Sequence, residues 1–284
     1  MGRLEVRGAT LDFEVTGDDG PLVVQLHGLM SSRQRDRQLG LDLGRALRGH
    51  RVLRVDARGH GGSSGSPDPA DYAWNRLAED LIAVLDDVAP GETVHGVGPS
   101  MGTGTLLHAA LHDPARFTSL TLMVPPTAWG TRRAQAETYL RNADLIERHG
   151  VDAYLQLGAT TPVPPAIADA PETLPSVDER LLPTVLRGAA TADLPAKDNI
   201  TLIEVPTLIL AWTGDPTHPL RTATRLSELL PQSRLVVART PYGVTAWPGL
   251  FAEHVITAGV EPTPTGTIPV MPDVTRPLPE TRAS

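Results

Sequence analysis

The sequence predicts an α/β protein: a mostly parallel sheet, doubly wound by helices on both faces, carrying a helical cap insertion. Three observations point there. Short β-branched runs alternate with longer stretches of helical periodicity, and a glycine-flanked serine stands at one strand-to-helix junction. The alternation also stops at about residue 126 and resumes after 200.

Taken in order, "LEVRG" and "LDFEVTG" read as an opening hairpin, and "LVVQL" (22–26) as a buried strand. A helical stretch over 34–49 leads to the strand "RVLRVD" (51–56). Over 72–88, Trp74, Leu77, Leu81, Val84, Leu85 and Val88 fall on one helical face. The strand "TVHGV" (93–97), a helix from about 101 and the strand "SLTLMV" (119–124) follow. Beyond the interruption come "TLILAW" (207–212), a helix at 220–230, "RLVVA" (234–238) and a last helix near 248–258. Strands that alternate with helices favour parallel pairing through crossover connections.

The segment 126–200 holds helical pieces at 131–149 and 178–190, broken by "TPVPP" and "DAPETLP", with no strand of the main sheet. It reads as a helical cap over the strands' carboxyl ends, where open α/β sheets bind ligands. The core is then 1–125 plus 201–258. The remainder, 259–284, is proline-rich and polar, and reads as an extended or disordered tail with enough apolar residues to dock along a groove.

Composition narrows the function classes. A net charge of -8 over 284 residues, with no basic run, argues against a nucleic-acid partner. Without cysteine, thiol nucleophiles, disulfides and zinc-thiolate sites are excluded. Lys197 is the only lysine, a bias that reflects a GC-rich genome rather than physics. No apolar run approaches the roughly 18 residues that span a membrane, and the amino terminus lacks a signal peptide's apolar core. The expectation is a cytoplasmic monomer or homodimer with no membrane partner and no cofactor.

The chemistry centres on "GVGPSMGTG" (96–104). Gly98-Pro99-Ser100-Met101-Gly102 fits the G-x-S-x-G elbow, in which a tight turn forces the serine into a strained backbone and both flanking positions must be small. Acyl transfer also needs two N–H groups aimed at the developing oxyanion. Met101, after the nucleophile, and Leu29, after His27-Gly28 in "QLHGLMSS", are the candidates. Alone, the latter segment would read as a plain strand-ending turn.

With these motifs in order, the chain resembles the α/β-hydrolase fold family, in the style of bacterial esterases and cofactor-free haloperoxidase-like members. The resemblance implies an acid after the strand that follows the cap, with proline four residues on. Asp215 and Pro219 in "GDPTHP" match it, although an aspartate at a helix entry is the plainer alternative. "DARGHGGSSG" (56–65) resembles the family's structural loop, which gives Asp56 and His60 stabilising roles. The family also carries a histidine after the last strand. Here Arg239, Thr240, Pro241, Tyr242, Gly243 and Val244 offer no proton acceptor near neutral pH.

Other histidines must then be weighed. His218 is first in line as base, though it lies three residues past Asp215, so the loop must fold back on itself; His-Pro also suits a helix start. His254 reads as a surface residue on the last helix, and His95 as buried in its strand. His108 and His112 have the i, i+4 spacing of a metal pair but no third ligand nearby, so they read as packing and no metal is expected. His27, Met30, Trp129 and Trp247 are candidates to line a substrate pocket, along with Leu29 and Met101.

The leading reading is a serine-dependent acyl enzyme for a small apolar ester, thioester or lactone, with an atypical triad. Two others stay open: a non-hydrolytic cyclase, lyase or isomerase of a specialised metabolite, or a catalytically silent binding protein.

Overall fold

A computed structural model describes residues 1–159 and 163–258; the tail expected over 259–284 lies outside the described residues. Eight strands form one sheet in the order β1-β2-β4-β3-β5-β6-β7-β8. They are β1 (Gly2–Val6), β2 (Ala9–Thr16), β3 (Leu22–Gln25), β4 (Arg51–Val55), β5 (Val94–Pro99), β6 (Phe117–Met123), β7 (Thr207–Trp212) and β8 (Ser233–Ala238). β1 and β2 pair antiparallel, as does β2 with β4, and every later pairing is parallel.

Alternation along the central strands builds a core on each face. In β7, Ile209 and Ala211 join the apolar cluster that receives Trp74, Leu77, Leu81 and Leu85 of α2 (Trp74–Val88) and Leu106 of α3 (Met101–His112). Leu208, Leu210 and Trp212 face the other way, against Trp247, Phe251 and Val255 of the last helix, Trp247–Ala258. This is the doubly wound arrangement expected. Val88, at the end of the apolar face of α2, is only half-buried.

The helix expected over 34–49 is two pieces, α1 (Arg33–Gln38) and a 3-10 turn at Leu43–Ala46. Gly40 breaks it with φ of 71°, and the buried Gln25 side chain captures both Leu41 O and Gly44 N. Such a side chain offers the backbone an alternative to helical bonding.

Between β6 and β7 the described residues form helices and loops, apart from a single bridge from Val177 to His60. The helix α4 (Arg132–Ala159) is interrupted at Gly150, and α5 (Leu182–Thr191) packs on it; the short α6 (Lys197–Ile200) precedes β7, and α7 (Leu220–Leu229) joins β7 to β8. Tyr139, Ala143 and Ile146 bury against Leu182, Leu186 and Ala189, with Leu29 and Met30 of the core touching the same cluster. The buried Arg132 ties this insertion together, donating to Ala189 O and Ala192 O at the end of α5 and lying 4.3 Å over Trp74. A cation there complements the helix's negative end.

Candidate active site

Ser100 stands between β5 and α3 with φ 52° and ψ -107°, a strained backbone for a residue with a side chain. The neighbouring glycines explain why the turn closes. A Cβ built on Gly98 would lie 3.1 Å from both Gly102 Cα and Leu26 Cβ, and one on Gly102 would lie 3.1 Å from Leu26 Cβ. Thr103 braces the turn from within, its buried hydroxyl meeting Gly98 O at 2.9 Å and Met123 O at 3.1 Å. Sequence reasoning passed over Thr103, since a threonine inside a helix looks ordinary.

Four non-glycine residues among those described have positive φ: Met30, Ser100, Val124 and Trp129. All four follow the carboxyl ends of β3, β5 or β6. Strained backbone clusters at functional sites, which makes this edge of the sheet the candidate one.

His218 comes to Ser100. Its Nε2 lies 2.8 Å from Ser100 Oγ, and its Nδ1 lies 2.7 Å from Asp215 Oδ2. The loop folds back as an Asx turn: Asp215 Oδ1 accepts from Thr217 N at 2.8 Å and from His218 N at 3.1 Å. Three residues therefore suffice to bring carboxylate and imidazole side by side. A carboxylate at Nδ1 can only accept, so the ring proton sits there and Nε2 is left to accept from Ser100 Oγ. Trp212, at the end of β7, adds an Nε1–H bond of 2.9 Å to Asp215 Oδ2. Burial by itself would raise the Asp215 pKa. The bond and charge of His218, the indole donor and the backbone N–H outweigh it, and the carboxyl is held well below the usual range. The site thus keeps a fixed anion behind an imidazole that faces a hydroxyl, which can take up and return the serine proton.

On the other side of Ser100 lies the turn after β3, closed by Ser31 N donating to Gly28 O at 3.1 Å. Gly28 abuts Ser100: a Cβ built on it would be 3.7 Å from Ser100 Cβ. Leu29 and the start of α3 at Met101 therefore flank the serine. The first N–H groups of a helix lack intrahelical partners and favour negative charge.

The other candidates divide. Met30 sits beside the site with Tyr154 Oη 3.2 Å from its sulfur. His27 is buried and braces the loop while lining a small cavity with Leu26, Met101 and Thr105: Nδ1–H donates to Gly28 O at 2.8 Å and Nε2 accepts from Ala57 N at 2.9 Å. Burial depresses its pKa to about 4, so it stays neutral. Trp247 is fully buried and stacks on Trp212 with ring centroids 5.8 Å apart, because α9 (Trp247–Ala258) turns its apolar face to the sheet. Trp129 is committed to the base of the insertion, with Nε1 donating to Pro195 O at 2.9 Å and Lys197 Nζ 5.2 Å from its ring.

Of the remaining histidines, His95 is buried against Ser119 Oγ and His108 meets Asp193 O, both packing roles. His254 is half-buried, with Nε2 3.1 Å from Leu120 O, rather than free on the surface. No cluster of metal-ligating residues occurs among the described residues. No described helix is long and apolar enough to cross a membrane. Asp56 accepts from Arg33 N and Gly62 N, and His60 Nδ1 meets Arg58 O, which makes that loop a scaffold as expected. After β8 the chain forms α8 (Pro241–Thr245), packed against the insertion's turn at Pro165–Ile167.

Comparison with known proteins agrees with this architecture. A family profile described as the alpha/beta hydrolase fold matches residues 21–145. The chain is 30% identical to 3-oxoadipate enol-lactonase 2 of Acinetobacter baylyi, covering 66% of this chain and 69% of that protein. It is also 30% identical to RutD of Pseudomonas savastanoi pv. phaseolicola, a carbamate-hydrolase candidate, over 77% of this chain and 85% of that one. The structure of a hydrolase from Pseudomonas aeruginosa superposes with a TM-score of 0.74 at 25% identity, covering 90% of this chain and 97% of that chain. With the strand order and the Ser100 turn already described, this likeness means that the chain belongs to the α/β-hydrolase fold family, as an enzyme of its esterase-like type.

Proposed function

We propose that the protein hydrolyses small, largely apolar esters, thioesters or lactones through an acyl-enzyme on Ser100. The observation that carries this is the 2.8 Å contact from His218 Nε2 to Ser100 Oγ, backed by Asp215. In the first half-reaction Ser100 Oγ attacks the substrate carbonyl as His218 takes its proton. The N–H groups of Leu29 and Met101 hold the oxyanion, and the imidazolium returns the proton to the leaving oxygen or sulfur. Water, activated by the same imidazole, then releases the acid. The core at 1–125 and 201–258 supplies these groups, and the cap at 126–200 covers them.

Leu29, Met30 and Tyr154 pack against the insertion's apolar cluster, and an apolar surround of this kind supports a small apolar substrate. The enol-lactonase among the relatives acts, by its name, on a lactone, consistent with an internal ester here. The non-hydrolytic and silent readings drew on the missing base, and the His218 contact supports hydrolysis over them.

The test is labelling with a fluorophosphonate together with turnover of p-nitrophenyl acetate. Ser100→Ala should abolish labelling. His218→Ala should lower kcat about as far as Ser100→Ala, on the order of 10³-fold or more, because members of one catalytic unit are not additive. Full activity in His218→Ala would rule out the proposed base.

A further inference from the structure

Met30 follows the proposed oxyanion donor Leu29 and has φ of 60°. It occupies the third position of the turn closed from Ser31 N to Gly28 O, where a positive φ ordinarily calls for glycine. A methionine stays there only under restraint.

The restraints come from outside the sheet. Met30 O accepts from Ser176 N at 2.9 Å and from Arg35 Nη1 at 3.1 Å. Arg35 Nε donates to Thr173 Oγ1 at 2.7 Å. Ser176 is itself anchored: its carbonyl accepts from Gly61 N at 2.8 Å, its hydroxyl meets Ser32 Oγ at 3.2 Å, and the next residue, Val177, bridges to His60. Thr173 and Ser176 belong to the insertion between β6 and β7, whereas Arg35 stands on α1. The turn beside the nucleophile is therefore held from the insertion, through one carbonyl.

We propose that residues 173–177 latch the oxyanion turn, with Arg35 and Ser176 as positioning residues that keep Met30 left-handed and Leu29 N–H aimed at the reacting carbonyl oxygen. This rests on the hydrolase reading above. Released, the turn exchanges its positive φ for the type I geometry that most residues prefer, by turning over the Leu29–Met30 peptide, which reverses the carbonyl dipole on the donor's own residue and loosens the turn that aims its N–H. Substrate still binds, but the Leu29 N–H holds the oxyanion less well when charge develops.

The experiment measures kcat and KM for p-nitrophenyl acetate on the full chain, per active site titrated with a fluorophosphonate. Arg35→Ala should lower kcat about 10- to 100-fold with KM within about twofold, as expected when a transition-state donor is misplaced. Arg35→Lys should recover part of the loss, since an ammonium can still donate to Met30 O. Adding Met30→Gly to Arg35→Ala should also recover part, because glycine takes φ of 60° without strain. Thr173→Val, which removes only the far anchor, should lower kcat by a smaller factor and serves if Arg35→Ala does not fold. A folded Arg35→Ala or Thr173→Val with wild-type kcat per titrated site, whatever its melting temperature, would overturn the latch. Absence of Ser100-dependent labelling and turnover in the wild type would overturn the hydrolase reading first, and the latch with it.

Discussion

Asp215 accepts four hydrogen bonds, from two backbone N–H groups, the His218 ring and the Trp212 indole. The first three follow from an Asx turn, and only the indole comes from a separate element. Trp212→Phe removes that donor while keeping an aromatic ring against Trp247. The Asp215 pKa should rise, since a bond to its charged form is lost. We expect kcat for an activated ester to fall by about 3- to 10-fold, with the acid side of the pH–rate profile moved upward. An unchanged profile would show that the indole is only packing. At this scale Ser100 was legible because a turn's sterics dictate its neighbours, and His218 emerged once the loop after β8 offered no alternative. Trp212 was hidden, because nothing in "TLILAW" says that the last residue's ring nitrogen turns toward the next loop.

The elements were more legible than their ends. β7 was read to the residue and β8 to within one, because continuous apolar runs between turn residues have few other uses. Period alone could not show that Gln25 would interrupt the 34–49 helix or that α8 would form over 241–245. That short helix bears on the question of a family-style histidine. A Cβ built on Gly243 would lie 2.9 Å from Ala238 Cβ, so the position faces the sheet and not Ser100. Gly243→His should therefore destabilise the protein, by about 1–3 kcal/mol if the site behaves as an overpacked core, without raising ester hydrolysis. Chemical denaturation and turnover measured together test this. A gain in hydrolysis would mean that the vacated position still has triad geometry.

Across the whole molecule, the buried histidines set how stability responds to acid. Burial lowers the pKa of His27 to about 4, of His60 to about 3 and of His95 to about 4. Each imidazole is neutral in the fold and charges more readily in the unfolded chain. Their contributions are present above the ordinary value of 6.5 and are lost as pH falls through the folded values. Asp36 runs the other way. Burial raises its carboxyl to about 7 despite a 2.6 Å bond from Ser31 Oγ, so its contribution is full below 3.8 and is lost as pH rises through 7. Three imidazoles outweigh one carboxyl, and stability should fall by a few kcal/mol between about pH 6.5 and 4. Asp36→Asn should steepen that fall and be more stable than wild type at pH 8. Denaturant midpoints across this range decide it, and a flat profile would contradict the burial of these rings.

Placing Asp215 and His218 within one turn also changes what is inherited together. In a chain whose base follows the last strand, an insertion or slipped register there separates acid from base. Here Gly214–Pro219 carries both groups, with the Trp212 indole as the support from outside, and a change of length after β8 leaves the spacing of the pair intact. The same six residues, grafted after the corresponding strand of a relative stripped of its own histidine, form one short transplant that carries both groups.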